Sequence, residues 1–376
     1  MTDTDAPYAR RLDAARERLA GADADALVLF PSTNLTYLTG HDEHPSERHF
    51  LLFVVADADP VFLVPELAGE QVRAGTPVAD VRTWSDDEDP VAAVEAVAED
   101  LALANDAPHV LVDDTMHARF TQDLRRVLPD ATWGLASDAL ADLRAIKDDA
   151  EVAALRHAGE AADAVVRDLR EMGDEVVGMT ETELARLIED RLEVHGGTGV
   201  SFETIVGSGP NGAMPHHTHG DRVIEAGDPV VLDFGTRVDG YPSDQTRTLV
   251  FGDAEPPEGF REVHRVVREA QEAAVEAVEP GVTVGAIDAA ARDAIAEAGY
   301  GDAFVHRTGH GVGLDVHEEP YVVAGGEREV EAGMVFSVEP GVYRPDEFGV
   351  RIEDLVVVTD DGCVRLNRTD RDWRTD

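Results

Sequence analysis

The sequence contains very little lysine and cysteine and has no long hydrophobic run. Its only lysine is Lys147 and its only cysteine is Cys363. A single cysteine excludes an intrachain disulfide, which favours a reducing compartment. No apolar stretch approaches the ~20 residues that a membrane-spanning helix needs. Residues 1–5 are acidic and lack the hydrophobic region of a signal peptide. We therefore expect a cytoplasmic protein.

Acidic residues greatly outnumber basic ones. Asp and Glu total 77, Lys and Arg total 32, and the net charge is −45. The acidic residues are spread along the chain and the hydrophobic fraction of 43% is ordinary, which excludes a disordered acidic tail. Acidic residues throughout the chain with almost no lysine indicate a protein from an extreme halophile. Molar salt reduces the range of electrostatic repulsion between acidic side chains to a few ångströms. Such a surface repels phosphate backbones and anionic lipids, so we expect no nucleic-acid or membrane partner.

The length of the chain allows two domains with separate cores. In the first part, helical stretches at 8–20, 91–103 and 116–127 alternate with strand-like runs at 26–30, 50–55, 61–64 and 110–112. This alternation predicts an α/β domain. A boundary is predicted near 143–147, followed by a helix over 149–172 that starts with the capping-box pair Asp148 and Glu151. Further helices are predicted over 180–195, 260–278 and 284–298, so the predicted domains are 1–143 and 144–376.

Five residues in the C-terminal half form a candidate metal-binding set: Asp233, Asp244, His310, Glu339 and Glu353. Four carboxylates neutralise two divalent cations. Two cations about 3.5–4 Å apart can activate one water and stabilise the negative charge that develops during hydrolysis. Taken singly, each residue is more easily explained as structural, since an Asp after a strand often belongs to a turn.

The spacing of the acidic residues favours metal binding. Asp233 and Asp244 flank a turn near 238–240, so a simple hairpin would set them nearly opposite each other. Glu339 and Glu353 flank a second turn, near 346–347, in the same relation. Directly opposed residues have Cβ atoms about 4.5–5.5 Å apart, and two carboxylates that close repel each other unless a cation lies between them. The two acidic hairpins therefore predict a dinuclear metal centre.

At these residues the chain resembles the pita-bread metallopeptidases, which include Xaa-Pro aminopeptidases, Xaa-Pro dipeptidases (prolidases) and methionine aminopeptidases. The resemblance runs from about Leu143 to the C-terminus through an ordered series of motifs: PHH at 215–217, the two Asp segments, GHGVGLDVHE at 309–318, and the two Glu segments. Residues 35–40, LTYLTG, resemble a segment of the creatinase-type N-terminal domain. The resemblance implies an α/β (α+β) fold: a creatinase-like α/β domain, then a pita-bread domain with a curved antiparallel sheet backed by helices.

The resemblance also implies how the metals are held. Asp233 would bind one metal, and His310 and Glu339 the other. Asp244 and Glu353 would bridge the pair. A mostly oxygen ligand set without thiolate favours Mn²⁺ or Co²⁺, with Zn²⁺ as an alternative.

Catalytic and substrate-binding roles follow in the same way. The implied catalytic residues are His216, His317 and Glu339, with Glu339 passing a proton to the leaving nitrogen. The implied substrate contacts are His306, Arg351 and Tyr321. The alternatives for Arg351 are that it orients the metal-binding carboxylates or offsets their charge. Tyr321 stands where archaeal-type prolidases tend to carry an arginine that binds the substrate carboxylate, and Arg328 is a nearby substitute.

Three functions remain open at this point. The first is an exopeptidase that cleaves Xaa-Pro bonds. Within it an aminopeptidase is favoured over a dipeptidase, because Tyr321 cannot supply a charged partner for a free carboxylate. The second is another small-amide hydrolase on the same scaffold. The third, a non-catalytic binding module, is disfavoured because all five metal positions are filled. We expect a peptide substrate with proline in second position, and the resemblance implies a homodimer.

Overall fold

The computed structural model describes residues 6–104 and 107–375, and the chain divides into two compact units. The N-terminal unit ends at Arg144 and the C-terminal unit begins at Ala145. The strands of the N-terminal unit are β1 (Ala26–Leu29), β2 (Leu51–Val55), β3 (Val61–Pro65), β4 (Asp80–Trp84), β5 (His109–Val112) and β6 (Thr132–Leu135). Its helices are α1 (Ala6–Gly21), α2 (Thr33–Thr39), α3 (Glu66–Gly75), α4 (Pro90–Asp100), α5 (Ala118–Val127) and α6 (Ser137–Ala145).

The strands of the N-terminal unit form one mixed sheet in the order β4-β3-β2-β1-β5-β6. Strand β1 pairs antiparallel with β2 and parallel with β5. Every residue of β1, β2 and β3 is buried, as expected for continuous apolar runs in a sheet covered on both faces. The predicted strands and helices of this unit are all present. Helices α2, α3 and α6 and strands β4 and β6 were not predicted, because short segments of mixed polarity carry little periodic signal.

The C-terminal unit combines helix pairs with antiparallel strands. Its helices are α7 (Asp149–Met172), α8 (Glu181–Val194), α9 (Phe260–Glu276) and α10 (Val284–Glu297). Its first group of strands is β7 (Ile205–Ser208), β8 (Pro229–Phe234), β9 (Arg237–Val238), β10 (Tyr241–Pro242) and β11 (Gln245–Val250). The second group is β12 (Gly309–Gly311), β13 (Glu318–Val322), β14 (Val335–Val338), β15 (Gly341–Arg344), β16 (Phe348–Arg351), β17 (Asp354–Thr359) and β18 (Gly362–Arg365).

Helices α7 and α8 begin where their capping residues predict. Asp148 accepts hydrogen bonds from the first turn of α7 while the side chain of Glu151 bonds back to the Asp148 main chain. Thr180 and Glu183 form the same reciprocal pair at α8. Each pair satisfies main-chain N–H groups that have no partner within the helix.

Each helix pair covers one face of a sheet. Helices α7 and α8 share a hydrophobic core with β7, β8 and β11, which form a sheet in the order β11-β8-β7. Helices α9 and α10 share another core with β13–β17, and β13-β12-β14-β17-β18 form the second main sheet. The strand faces turned away from these helices are therefore free to carry polar side chains. None of the described helices is both long and apolar enough to span a bilayer.

Candidate metal centre

Asp233 and Asp244 lie on the same face of the first sheet without being directly opposite each other. In β8, Leu232 and Phe234 pack with α7 and α8, so Asp233 between them projects from the other face. The register pairs Asp233 with Thr246, and Asp244 precedes Thr246 by two residues. The two residues, expected nearly opposite each other, are therefore offset by two residues. The face is preserved because side chains alternate with a period of two.

The turn that sets this register is only two residues long. Asp239 and Gly240 both have positive φ angles, 50° and 83°, and Val238 pairs with Tyr241. Two consecutive positive φ angles characterise the type I′ hairpin turn, which Asp-Gly adopts readily. The register set by this turn in β9–β10 continues into β8–β11. Asp233 and Asp244 are therefore diagonal neighbours across the two strands.

Glu339 and Glu353 match their predicted relation. Val338 pairs with Asp354 in the register of β14 with β17. Continued by one residue, this register sets Glu339 across from Glu353. The second acidic pair is therefore directly opposed, where Cβ atoms are about 4.5–5.5 Å apart.

His310 lies in β12, which runs very close to the neighbouring strand β14. A Cβ atom on Gly309 would overlap the main-chain oxygen of Ser337, so glycine is required beside the histidine. The His310 main-chain N–H donates to Ser337 Oγ at 3.1 Å. These contacts fix the backbone from which the imidazole projects.

The imidazole of His310 presents one nitrogen to the acidic residues. Its Nδ1 donates to the Gly311 main-chain oxygen at 3.2 Å, because a carbonyl can only accept. Its Nε2 lies 3.3 Å from Glu339 Oε1 and 3.7 Å from Asp244 Oδ2. Burial lowers the pKa of His310 to about 3, so the ring is neutral near pH 7. Neutral imidazole is the form that binds metal ions.

The carboxylates fit divalent cations because their buried oxygens have no other partner. Asp233 Oδ1, Asp244 Oδ1 and Glu353 Oε1 make no hydrogen bond within the described part of the chain. Burial first, and then the neighbouring carboxylates, raise the pKa values of Asp244 and Glu353 well above their usual range. Asp244, His310 and Glu353 can each offer a ligand atom, and these atoms lie within 4.8 Å of one another. Buried unpaired carboxylates are costly, and divalent cations would supply the missing partners.

Arg351 connects two of the acidic residues. Its Nη2 donates to Asp233 Oδ2 at 2.5 Å, and its Nε donates to Thr246 Oγ1 at 3.1 Å. Thr246 Oγ1 in turn donates to Glu353 Oε2 at 2.7 Å. The guanidinium also donates to Tyr343 Oη at 3.0 Å. Arg351 lines the cavity beside the cluster, but these donors are directed at protein acceptors, which orients the carboxylates.

His306 also bonds mainly to the protein. Tyr343 Oη already accepts the Arg351 N–H, so its own proton is donated to His306 Nε2, 2.9 Å away. His306 Nδ1 donates to the main-chain oxygen of Arg307 at 2.8 Å. Burial, followed by the charge of Arg351, lowers the pKa of His306 to about 4. His306 is thus a neutral ring that fixes the backbone at Arg307.

The candidate residues meet at one cavity of about 300 Å³. Its lining includes all five predicted metal positions and four further predicted site residues, His216, His306, His317 and Arg351. The ring centroids of His310 and His317 are 4.1 Å apart. The predicted substrate contact Tyr321 is not among the lining residues. A volume near the lower end of the range for ligand pockets suits a small substrate.

Arg307 lines the cavity although no sequence motif singles it out. Its Cζ atom lies 4.4 Å from the centroid of the Tyr321 ring, and Tyr321 pairs with His310 in the register of β12 with β13. After burial, the charge of Arg307 is the main cause that lowers the pKa of His317. In the sequence, Arg307 is only an arginine three residues before a predicted metal ligand. Its position in the cavity becomes apparent only from the tertiary contact with Tyr321. Thr246 and Tyr343 were missed for the same reason.

Comparison with known proteins identifies relatives over nearly the whole chain. Residues 153–360 match metallopeptidase family M24, and residues 11–146 match the creatinase/prolidase N-terminal domain. A protein named probable dipeptidase PepE from Mycobacterium tuberculosis is 43% identical over 96% of this chain and 94% of its own. The Xaa-Pro dipeptidase of Lactobacillus helveticus is 37% identical over 96% of this chain and 98% of its own. The crystal structure of dipeptidase PepE from Mycobacterium ulcerans has a TM-score of 0.91 at 41% identity and covers 98% of both chains.

Proposed function

We propose that this chain, which belongs to metallopeptidase family M24, is an Xaa-Pro dipeptidase that works with two divalent metal ions. Its family membership makes it a metallo-exopeptidase, with a creatinase-type N-terminal domain and a pita-bread catalytic domain. The sequence motifs alone favoured an aminopeptidase. Relatives named as dipeptidases, similar over almost their full length, favour the dipeptidase instead.

The proposed metal-binding residues are Asp233, Asp244, His310, Glu339 and Glu353. The unpaired buried oxygens of three of them support this assignment. When bound, two divalent cations would activate the attacking water and stabilise negative charge on the scissile carbonyl oxygen. Oxygen-rich ligation favours Mn²⁺ or Co²⁺ over Zn²⁺.

Three side chains are proposed to act on the substrate. Glu339 lies beside the cavity and its Oε1 accepts a hydrogen bond from Ser337 Oγ at 3.3 Å, so it can carry a proton from the attacking water to the leaving nitrogen. His216 and His317 line the same cavity. Their N–H groups are suited to stabilise the oxyanion of the tetrahedral intermediate.

The observation that carries the dipeptide assignment is the unpaired guanidinium of Arg307. The chain has a net charge of −45, yet within the described residues no carboxylate forms an ion pair with Arg307. Its contact with the Tyr321 ring can hold the guanidinium without using its hydrogen-bond donors. In an Xaa-Pro dipeptide the free carboxylate is carried by the proline whose nitrogen leaves, so it lies immediately beyond the scissile bond. A planar guanidinium in this cavity can bind that carboxylate through two parallel hydrogen bonds.

The assignment is tested with substrates that differ only at the carboxylate. We expect kcat/KM for Ala-Pro to exceed that for Ala-Pro amide by about 10- to 100-fold, the value of a hydrogen bond to a charged group. Arg307→Met should remove this preference by losing activity on Ala-Pro alone. Arg328→Met is the matched control, since Arg328 lies beside Glu319 at 3.9 Å and does not line the cavity.

Two results would contradict the assignment. A wild-type enzyme that cleaves Ala-Pro-Ala with higher kcat/KM than Ala-Pro would be an aminopeptidase. Equal losses on Ala-Pro and its amide in the Arg307→Met variant would show that Arg307 does not recognise the carboxylate. All assays should be run in molar KCl with Mn²⁺, because the charge composition supports a halophilic cytoplasm as the working environment. Light scattering under these conditions tests the proposed homodimer.

A further inference from the structure

Lys147 is the only lysine in the chain, and its side chain is 0% exposed. Its Nζ donates to Glu318 Oε1 at 2.8 Å and to the main-chain oxygen of Ala145 at 3.2 Å. A buried charge is tolerated only when it is paired and hydrogen-bonded. All the remaining Lys and Arg positions are arginine. The smaller ammonium group therefore occurs only in this buried pair.

The main chain fixes the position of the Lys147 ammonium. The Lys147 N–H donates to the main-chain oxygen of Gly333 at 2.9 Å. Its neighbour Ile146 forms an isolated β-bridge with Met334, one residue before β14. The lysine is therefore held against the same sheet that carries Glu339.

The Glu318 carboxylate is confined on its other side by the loop that carries His317. A Cβ atom on Gly313 would overlap both carboxylate oxygens of Glu318, so the carboxylate occupies the space that a side chain at 313 would need. The Gly313 N–H donates to the Asp315 main-chain oxygen at 3.0 Å, which closes a turn within this loop. Glu318 follows His317 directly and begins β13. The carboxylate is thus packed between the ammonium and the loop from β12 to β13.

We propose that Lys147 is a positioning residue for His317, which it holds in place through Glu318. The inference rests on the proposed function, in which His317 stabilises the oxyanion. The ammonium holds the carboxylate, the carboxylate holds the start of β13, and the preceding imidazole then lies beside His310 at a centroid distance of 4.1 Å. Arginine could not replace the lysine, because a planar guanidinium is larger and needs acceptors in its own plane.

Lys147→Met is expected to lower kcat by about 10- to 100-fold, the effect of displacing a catalytic group by roughly 1 Å. Methionine is similar in length but removes the ammonium that donates to Glu318. Metal content and KM should change little, since the five proposed metal-binding residues are not involved in the pair. Lys147→Arg should not restore kcat. Arg265→Met is the matched control, because it removes a cation from an exposed ion pair with Glu269.

A double-mutant cycle separates positioning from general destabilisation. Lys147→Met, His317→Ala and the double variant are compared by kcat, metal content and melting temperature in molar KCl with Mn²⁺. If Lys147 acts through His317, Lys147→Met lowers kcat in the wild-type background and has no further effect in the His317→Ala background. Should Lys147→Met fail to fold, Glu318→Gln removes the ion pair with an isosteric side chain and takes its place in the cycle.

The same loss of kcat in both backgrounds, or a wild-type kcat in Lys147→Met, would overturn the inference while leaving the proposed function standing. A wild-type kcat in His317→Ala would overturn the inference together with the oxyanion role proposed for His317, whereas the dipeptidase assignment is tested separately through Arg307. An equal loss in the Arg265→Met control would likewise reject a specific role for Lys147.

Discussion

Replacing Arg247 with methionine is expected to destabilise the C-terminal unit and to reduce its metal content. Arg247 and Asp354 are each 1% exposed, and Nη2 lies 2.7 Å from Oδ1. The guanidinium also donates to the main-chain oxygens of Glu353 at 2.6 Å and Thr246 at 2.9 Å. Methionine offers none of these donors. The backbone at Glu353, a proposed metal-binding residue, would therefore lose a buried hydrogen bond.

The magnitude follows from the contacts that remain. Removing one partner of a buried ion pair costs about 3–5 kcal/mol. Asp354 would keep its contacts with Gln271 Nε2 at 2.9 Å and Arg365 Nε at 3.2 Å. The expected cost is therefore about 3 kcal/mol, the lower end of that range. In a unit of this size, 1 kcal/mol lowers Tm by about 2–4 °C. We therefore expect Tm to fall by about 6–12 °C.

Differential scanning calorimetry in molar KCl measures the shift, and plasma mass spectrometry measures the bound metal. The control is Arg265→Met, which breaks an exposed pair with Glu269 at 2.5 Å and should leave Tm close to that of wild type, because exposed ion pairs contribute little to stability. A Tm within about 2 °C of wild type for Arg247→Met, with full metal content, would refute the assigned role of the buried pair.

Asp244→Ala and Glu353→Ala should each abolish hydrolysis and lose at least one metal ion, because each removes an oxygen that has no other partner; two bound metals with full activity in either would contradict the two-metal assignment. His317→Ala should keep both metals and lose about 10²–10³ in kcat, measured by the same metal analysis and steady-state kinetics. Dialysis into dilute buffer should unfold the chain or sharply lower its Tm by circular dichroism, since the Debye length grows from about 3 Å at 1 M to about 30 Å at 0.01 M; indifference to dialysis would reject halophily. The free energy of unfolding should fall as pH drops from 6.5 towards 4, because burial lowers the pKa of His264 to about 4 in the folded chain and the unfolded chain takes up the proton first. In urea titrations over this pH range, the His264→Leu variant should lose about 3 kcal/mol less unfolding free energy than wild type.

Local pattern was enough to predict the long helices. Helix α7 spans the predicted residues because its apolar spacing and the capping box of Asp148 and Glu151 are encoded within a few neighbouring positions. Period-two alternation explains why Asp233 projects away from the face of Leu232 and Phe234. Short elements such as β6, half exposed and without clear alternation, were missed for want of such a signal.

Register was predicted correctly for one of the two acidic pairs. Glu339 and Glu353 are directly opposed as expected, by continuation of the β14–β17 register. Asp233 and Asp244 are offset by two residues because the tight Asp239-Gly240 turn moves the centre of the hairpin. The centre of a turn depends on φ angles at two residues, and a single-residue change shifts every pair in the hairpin.

The sequence by itself determined which residues could bind metal and which face of each strand they occupy, because residue type and strand period are local properties. Only the tertiary structure decided which side chains support or accompany them. Arg351 reaches Asp233 across 118 residues, and Lys147 reaches Glu318 across 171. Arg307 acquires its place over Tyr321 through the pairing of β12 with β13. Such contacts depend on how whole sheets pack, and many arrangements share the same local pattern, so no motif along the chain could identify them.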